Sequence, residues 1–243
     1  MARQLHFFGD SFTAGDEIAD HHYIENYPQY INSWEAIEKS WELQRPSFDH
    51  LNAKQLESLL LHEKKISYPG LLGGFNHAYS GASLPSMARD VIKYLEGTDT
   101  SAIIFLQPSS INRWCEYIDG NWVDLSPANH GKYEDYYKFK VSHNTDESNL
   151  VTWYNTFLTL TSYISTHTKT ADWWIINNGT MNEIKNIIEK QSDKMFSKTF
   201  EKISEKIIDF PHLEKMDQSC ICPGGHPNAD VHQILANKIK MVL

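Results

Sequence analysis

Cysteine is scarce in this chain. Cys115, Cys220 and Cys222 are its only three in 243 residues, and so low and odd a count excludes a disulfide framework. Cys220 and Cys222 lie two positions apart near His226. That step lacks the usual zinc spacing and has no second pair elsewhere, so no metal is expected. Long apolar runs are also missing. No stretch approaches the roughly 20 consecutive apolar residues of a membrane-crossing helix, and the start has no charged-then-apolar leader. The expectation is a protein with no signal peptide and off the membrane. It would be cytoplasmic in the producing cell, or leave it by lysis as part of a virus particle. Basic residues are outnumbered, 22 Lys and Arg against 31 Asp and Glu, for a formal net charge of −9. With no basic stripe, neither nucleic acid nor an anionic membrane surface is an expected partner. A neutral or acetylated substrate suits this balance better than a polyanion. The chain lacks internal repeats and low-complexity tracts. It also lacks a dinucleotide fingerprint and a phosphate-binding loop, so no cofactor is expected.

What is present is an ordinary globular composition, 41% hydrophobic and 22% charged, and a regular alternation of elements. Gln4 to Phe8 is a short apolar run ending at Gly9, the pattern of a buried strand entering a turn. A weak helical start follows from Phe12 to Asp20. Helical spacing recurs over Ser33–Leu43 and Leu51–Leu61, with the breaker Pro46 between them. Tyr68 to Phe75 reads as a short helix ended by Gly73 and Gly74, and Asn76–Tyr79 as a brief strand. Ser83 is placed to cap a helix over Leu84–Leu95, with Met87, Val91 and Leu95 on one face. Ala102–Leu106 is a continuous apolar run, the mark of a strand buried on both faces. Arg113–Asn149 is rich in aromatics, Asn, Asp and Gly and shows no steady period; it is expected to be an excursion serving as a lid or contact surface. Helices are expected over Val151–Ser165, Asn182–Ile188 and Lys194–Ile208, and a strand over Trp173–Ile176. A closing helix is expected over Pro227–Val242, with Ile234, Leu235 and Ile239 inward. Strands alternating with helices predict a parallel sheet covered on both faces, with ligands at the carboxyl ends of its strands.

Two motif ends fall there, Gly9-Asp10-Ser11 and Gln107 to Ser110. In Gly9-Asp10-Ser11, a strand-to-helix turn lifts the Ser11 hydroxyl to the top of the sheet. The first free N–H groups of the helix face the same space, where they stabilise an oxyanion. Taken alone, Ser11 reads first as a helix cap, the commoner use of serine at such a turn. The last motif, Gly224-Gly225-His226-Pro227, changes that balance. Pro227 suits the first turn of the closing helix, which leaves His226 on a loop within reach of the sheet's top edge. Histidine is the usual activator of a serine hydroxyl. His232 falls inside the helix and is expected to be a packed or surface residue. Asp10 is expected to point away and hold the turn.

A first strand ending in Gly-Asp-Ser and a His-Pro before the last helix resemble the SGNH/GDSL hydrolases. The middle of the chain agrees. Ser67–Gly74 resembles the helix before that family's second strand, and Asn76–Ser83 is similar to its second block. The resemblance covers the scaffold at both ends and the centre. It implies a three-layer α/β/α fold, a flavodoxin-like parallel sheet of about five strands. The expected organisation is one domain over 1–243 with insertions at about 21–65 and 113–149. It implies Ser11 as nucleophile and His226 as base, with an oxyanion hole from the N–H groups of Ser11 and Gly81. Two departures stand out. The family's third block donates from an Asn; here Ser109 occupies that place by its offset from the strand, and Asn112 is the alternative. The family's acid lies three residues before the histidine; Pro223 stands there. A Ser-His dyad or a folded-back Asp217 are the two substitutes. The resemblance implies cleavage of small acyl esters, with O-acetyl groups on carbohydrate favoured by the aromatic insert and the acidic charge. The alternative is a catalytically impaired scaffold of the same fold. It would bind glycan, or assemble with copies of itself or with a virion.

Overall fold

The computed structural model describes residues 3–15, 18, 53–126, 131–191, 201, 203–209, 220, 222 and 226–243. Five strands form a wholly parallel sheet: β1 (Gln4–Phe8), β2 (Phe75–Asn76), β3 (Ala102–Leu106), β6 (Thr170–Asn177) and β7 (Ile207–Asp209). Their order is β2-β1-β3-β6-β7. The chain moves from β1 outward to β2, then back across β1 to β3. The strand order therefore reverses at β1, and a crevice opens at the carboxyl ends of β1 and β3, where sheets of this kind hold ligands.

The pleat sorts the β3 side chains into two cores. Ala102, Ile104 and Leu106 face one side with Phe8, against α4 (Leu84–Gly97), α6 (Asp146–Thr166) and α7 (Thr180–Gln191). Ile103 and Phe105 face the other with Phe7, against α3 (Tyr68–Leu71) and α8 (Ala229–Lys240). Successive strand residues point to opposite faces, so an unbroken apolar run is what a sheet covered on both sides requires. The stacked rings of Phe7 and Phe105, centroids 4.6 Å apart, join β1 to β3 on the α8 side. Truncating a side chain as buried as Ile104 or Phe105 costs about 2–5 kcal/mol. This is the expected three-layer α/β/α architecture.

Several boundaries differ from expectation. α1 is a single turn, Ser11–Ala14, stopped by Gly15 at φ +87°. The helix expected at Leu51–Leu61 is α2, Ala53–Ile66; Ser33–Leu43 lies outside the described residues. Lys194–Ile208 is not one helix, because Ile207–Asp209 is the fifth strand, paired with the end of β6. The closing helix begins later than expected: Asn228 caps it through the N–H of Val231, and Pro227 stands before the cap rather than in the first turn. Ile234 is 43% exposed, whereas Leu235 and Ile239 are buried. The expected excursion is regular. β4 (Trp114–Ile118) and β5 (Asn121–Leu125) form an antiparallel hairpin, followed by α5 (Glu134–His143). Asp119 and Gly120 turn that hairpin with φ of +51° and +80°, the left-handed pair that two-residue hairpin loops demand.

At the β1–β2 edge, His6 is buried among aromatic rings. His6 Nδ1 lies 2.9 Å from His77 Nε2, and the Tyr94 hydroxyl lies 2.8 Å from His6 Nε2. Burial, then the neighbouring His77, pulls the His6 pKa down to about 4. Burial also lowers that of His77. Among the described residues, no helix is long and apolar enough to cross a membrane.

Candidate active site

The turn after β1 is built by a side chain at each step. Asp10 takes the cap position of α1, and its Oδ1 accepts the N–H of Phe12. That carboxylate is buried, so it needs further partners. Gln107, the first residue after β3, donates Nε2–H to Asp10 Oδ1 at 2.8 Å. Arg113 reaches Asp10 Oδ2 at 3.3 Å. On its other side, Gln107 accepts a short hydrogen bond from Thr13, and the Tyr68 hydroxyl lies 2.7 Å from the same Thr13 oxygen. One buried chain of hydrogen bonds thus runs Tyr68–Thr13–Gln107–Asp10–Arg113. Burial raises the Asp10 carboxyl above the ordinary aspartate value, against the opposing pull of Arg113, the Phe12 N–H, Gln107 and His226.

Gly9 makes this packing feasible. A β-carbon there would stand 2.3 Å from Thr13 Oγ1 and 3.0 Å from the Gln107 β-carbon. Only hydrogen fits between the strand and the network.

Ser11 is the first residue of α1, buried at the carboxyl end of β1. His226 comes from the far end of the chain to the same place. Its ring centroid lies 5.4 Å from that of Phe12, the residue after Ser11. Its charge also acts on Asp10, the residue before. The His226 backbone is pinned from the carbonyl side, where Cys222 N–H donates to His226 O at 2.7 Å. Asn228 N–H donates to Cys220 O at 3.0 Å, closing a short backbone ladder beside it.

The other expected site residues separate by environment. Gly81 lies in the loop between β2 and α4 with φ +79°. Arg113 donates to the carbonyl of the adjacent Ala82 at 3.4 Å while holding Asp10. One guanidinium therefore ties the Gly81 loop to the Ser11 turn. Ser109 is fully buried just past β3. Its backbone carbonyl accepts the Trp153 indole N–H at 2.8 Å. Its hydroxyl has no partner among the described residues. Asn112 is engaged elsewhere, accepting the Asn149 amide at its Oδ1 at 3.1 Å. Asp217 and Pro223 lie outside the described residues. His232 is a packed residue: its Nδ1 accepts the Tyr68 backbone N–H at 3.0 Å. Burial, then the charge of His226, lowers its pKa to about 3, which keeps this imidazole neutral.

Gln107 was placed at a motif end by the sequence, but its network with Asp10, Thr13, Tyr68 and Arg113 was missed. Each is unremarkable alone, and only the crossing of β1, β3 and α3 brings them together. A Gln directly after a buried strand, facing a Gly-Asp-Ser turn, was the one available signal.

No protein-family model and no curated protein matches the chain. Solved structures do. One is a member of the lipolytic G-D-S-L family from Veillonella parvula DSM 2008. It is 13% identical with a TM-score of 0.47, over 100% of this chain and 98% of that one. An alpha/beta hydrolase enzyme from the metagenome of Lake Arreo, Spain, is 12% identical with a TM-score of 0.45, over 99% and 94%. A family two carbohydrate esterase from Clostridium thermocellum, solved with cellohexaose, is 14% identical with a TM-score of 0.45, over 100% and 63%.

Proposed function

We propose that the chain is a serine esterase that hydrolyses small acyl esters, with O-acetylated carbohydrate as the substrate class. The observation that carries this is the position of His226 beside the turn that bears Ser11. His226 is far from Ser11 in sequence, yet its ring lies 5.4 Å from that of Phe12, the residue after Ser11, where β1 ends. Ser11 Oγ attacks the acyl carbonyl carbon as His226 takes its proton. The carbonyl oxygen becomes an oxyanion held by the N–H groups of Ser11 and Gly81 and by a third donor. His226 then returns the proton to the departing alcohol, leaving an acyl-enzyme. Water, deprotonated by His226, releases the acid.

Ser109 is the third donor in this reading. A fully buried hydroxyl with no partner among the described residues holds a hydrogen bond in reserve, whereas Asn112 is committed to Asn149. A reserved donor interacts more strongly with developing charge than with the ground state, which is what lowers a barrier. His226 is the base in this reading, its backbone held by the Cys222 N–H and its ring flanked by that of Phe12. The net charge of −9 supports a neutral ester over an anionic one.

The test is labelling with a fluorophosphonate, which reacts only with an activated serine. Wild type should label, and Ser11→Ala and His226→Ala should not. Folded wild-type protein that takes no label would sink the esterase reading and leave a binding scaffold. Acetate release from acetylated sugars then tests the substrate class.

A further inference from the structure

The excursion at residues 113–149 encloses a cavity of about 210 Å³ against the start of α6. The hairpin supplies Arg113, Trp114 and Glu116; the end of α5 and the following corner supply Lys140 and Asn144; Asn149 lies on α6. This space sits beside the candidate active site. Arg113 lines it while contacting both Asp10, next to Ser11, and the carbonyl of Ala82, next to Gly81.

Its walls are fixed. Trp114 Nε1 donates to Asn149 Oδ1 at 3.2 Å, and Asn149 Nδ2 donates onward to Asn112 at 3.1 Å. Asn149 is nearly buried, so the indole is held from behind. Its charges are compensated: Arg113 pairs with Asp10, and Lys140 pairs with Glu116. A cavity whose cations each have a carboxylate has no unbalanced charge for a phosphate, and none for a cation. It still offers spare N–H and oxygen valences from the Glu116–Lys140 pair and the Asn144 amide, beside indole surface from Trp114 and Trp153. Polar side chains at the rim of an indole face match a ring with hydroxyls at its edge and C–H groups on its face. The volume falls below the roughly 300–1,000 Å³ of drug-sized sites, which limits the occupant to one small ring.

We infer that this cavity binds a single neutral sugar ring and seats the alcohol portion of the ester substrate. The inference rests on the esterase reading for the word substrate, but not for binding itself. The excursion would then set specificity, and Arg113 would connect the occupied cavity to the Ser11 turn.

The test separates the two ideas. Ser11→Ala protein with nitrogen-labelled tryptophan is titrated with methyl pyranosides of glucose, galactose, mannose and xylose, following the indole N–H resonances. The expected result is saturable movement of the Trp114 and Trp153 signals with at least one sugar. That movement should weaken about tenfold in Asn144→Ala and vanish in Asn144→Trp, which fills the space. Thermal midpoints verify that both variants fold. In the active protein, Asn144→Ala should raise KM for acetylated methyl pyranosides about tenfold more than KM for p-nitrophenyl acetate. Indoles that stay still with all four sugars, or movement only at other tryptophans, overturns the inference even if esters are cleaved. Sugar binding at Trp114 in a wild-type protein that cleaves no ester supports the cavity and defeats the esterase reading alone.

Discussion

The two halves of the candidate site are held by different means. The serine half is gripped by side chains: Tyr68, Thr13, Gln107 and Arg113 converge on Asp10, and Gly9 leaves room for nothing more. The histidine half is held by backbone. Cys222 N–H fastens the His226 carbonyl, and the capped start of α8 follows two residues later. Side-chain networks fail when one member is lost, because buried partners are left unsatisfied. Backbone bonds survive substitution of the side chains they carry. The serine half should therefore couple activity to stability, and the histidine half should not.

The largest test of this contrast is His226→Ala beside Ser11→Ala. Ester turnover should fall ~10⁴–10⁶-fold in both. The His226→Ala unfolding free energy should stay within about 0.5 kcal/mol of wild type; a larger loss in urea denaturation breaks the comparison. Next is Ser109→Ala, for which kcat should fall ~10²–10³-fold with little change in KM. A KM effect alone would remove Ser109 from the oxyanion role. Gly9→Ala should then cost stability as well as rate. Its new carbon would meet Thr13 and Gln107, and overpacking of this kind costs about 1–3 kcal/mol. Gln107→Leu keeps the volume but strands Asp10 and Thr13. Calorimetry should register a loss of about 1–3 kcal/mol, accompanied by slower turnover.

The smallest expected effect lies in the middle of β1, at His6. A histidine whose folded pKa is lowered contributes stability at neutral pH that is lost as pH falls. The unfolded chain binds protons first, from its ordinary value of 6.5, whereas folded His6 resists down to about 4. His232, at about 3, acts in the same direction. Burial of Asp10 acts oppositely, favouring its protonated form. Thermal midpoints should therefore fall between pH 7 and 5, and His6→Gln should flatten that slope. An unchanged slope would mean that the His6 cluster does not govern it.

The sequence made the sheet's centre legible because β1 and β3 are short apolar runs with abrupt ends. Burial on both faces leaves no other pattern. It made Ser11 and His226 legible because each sits at a chain reversal marked by glycine or proline. β7 was lost inside an expected helix, since a three-residue edge strand is too short to carry a period. The hairpin was also missed. Its Asp119-Gly120 turn was visible, but the flanking β4 and β5 are mostly half-buried and do not alternate cleanly. The network around Asp10 was illegible for another reason: its members are 3 to 103 positions from Asp10 along the chain. Only the strand order makes them neighbours.

The packing of α8 on Phe7, Ile103 and Phe105 has a consequence for biosynthesis. β1 and β3 are translated long before α8, so one face of the nascent sheet stays only partly covered until α8 emerges. Until then α3 covers part of the face of Phe7, Ile103 and Phe105, and the part that α8 will take is open to chaperones or to other nascent chains. Ser11 is likewise translated more than two hundred residues before His226, so the two can come near one another only after the chain between them has been made.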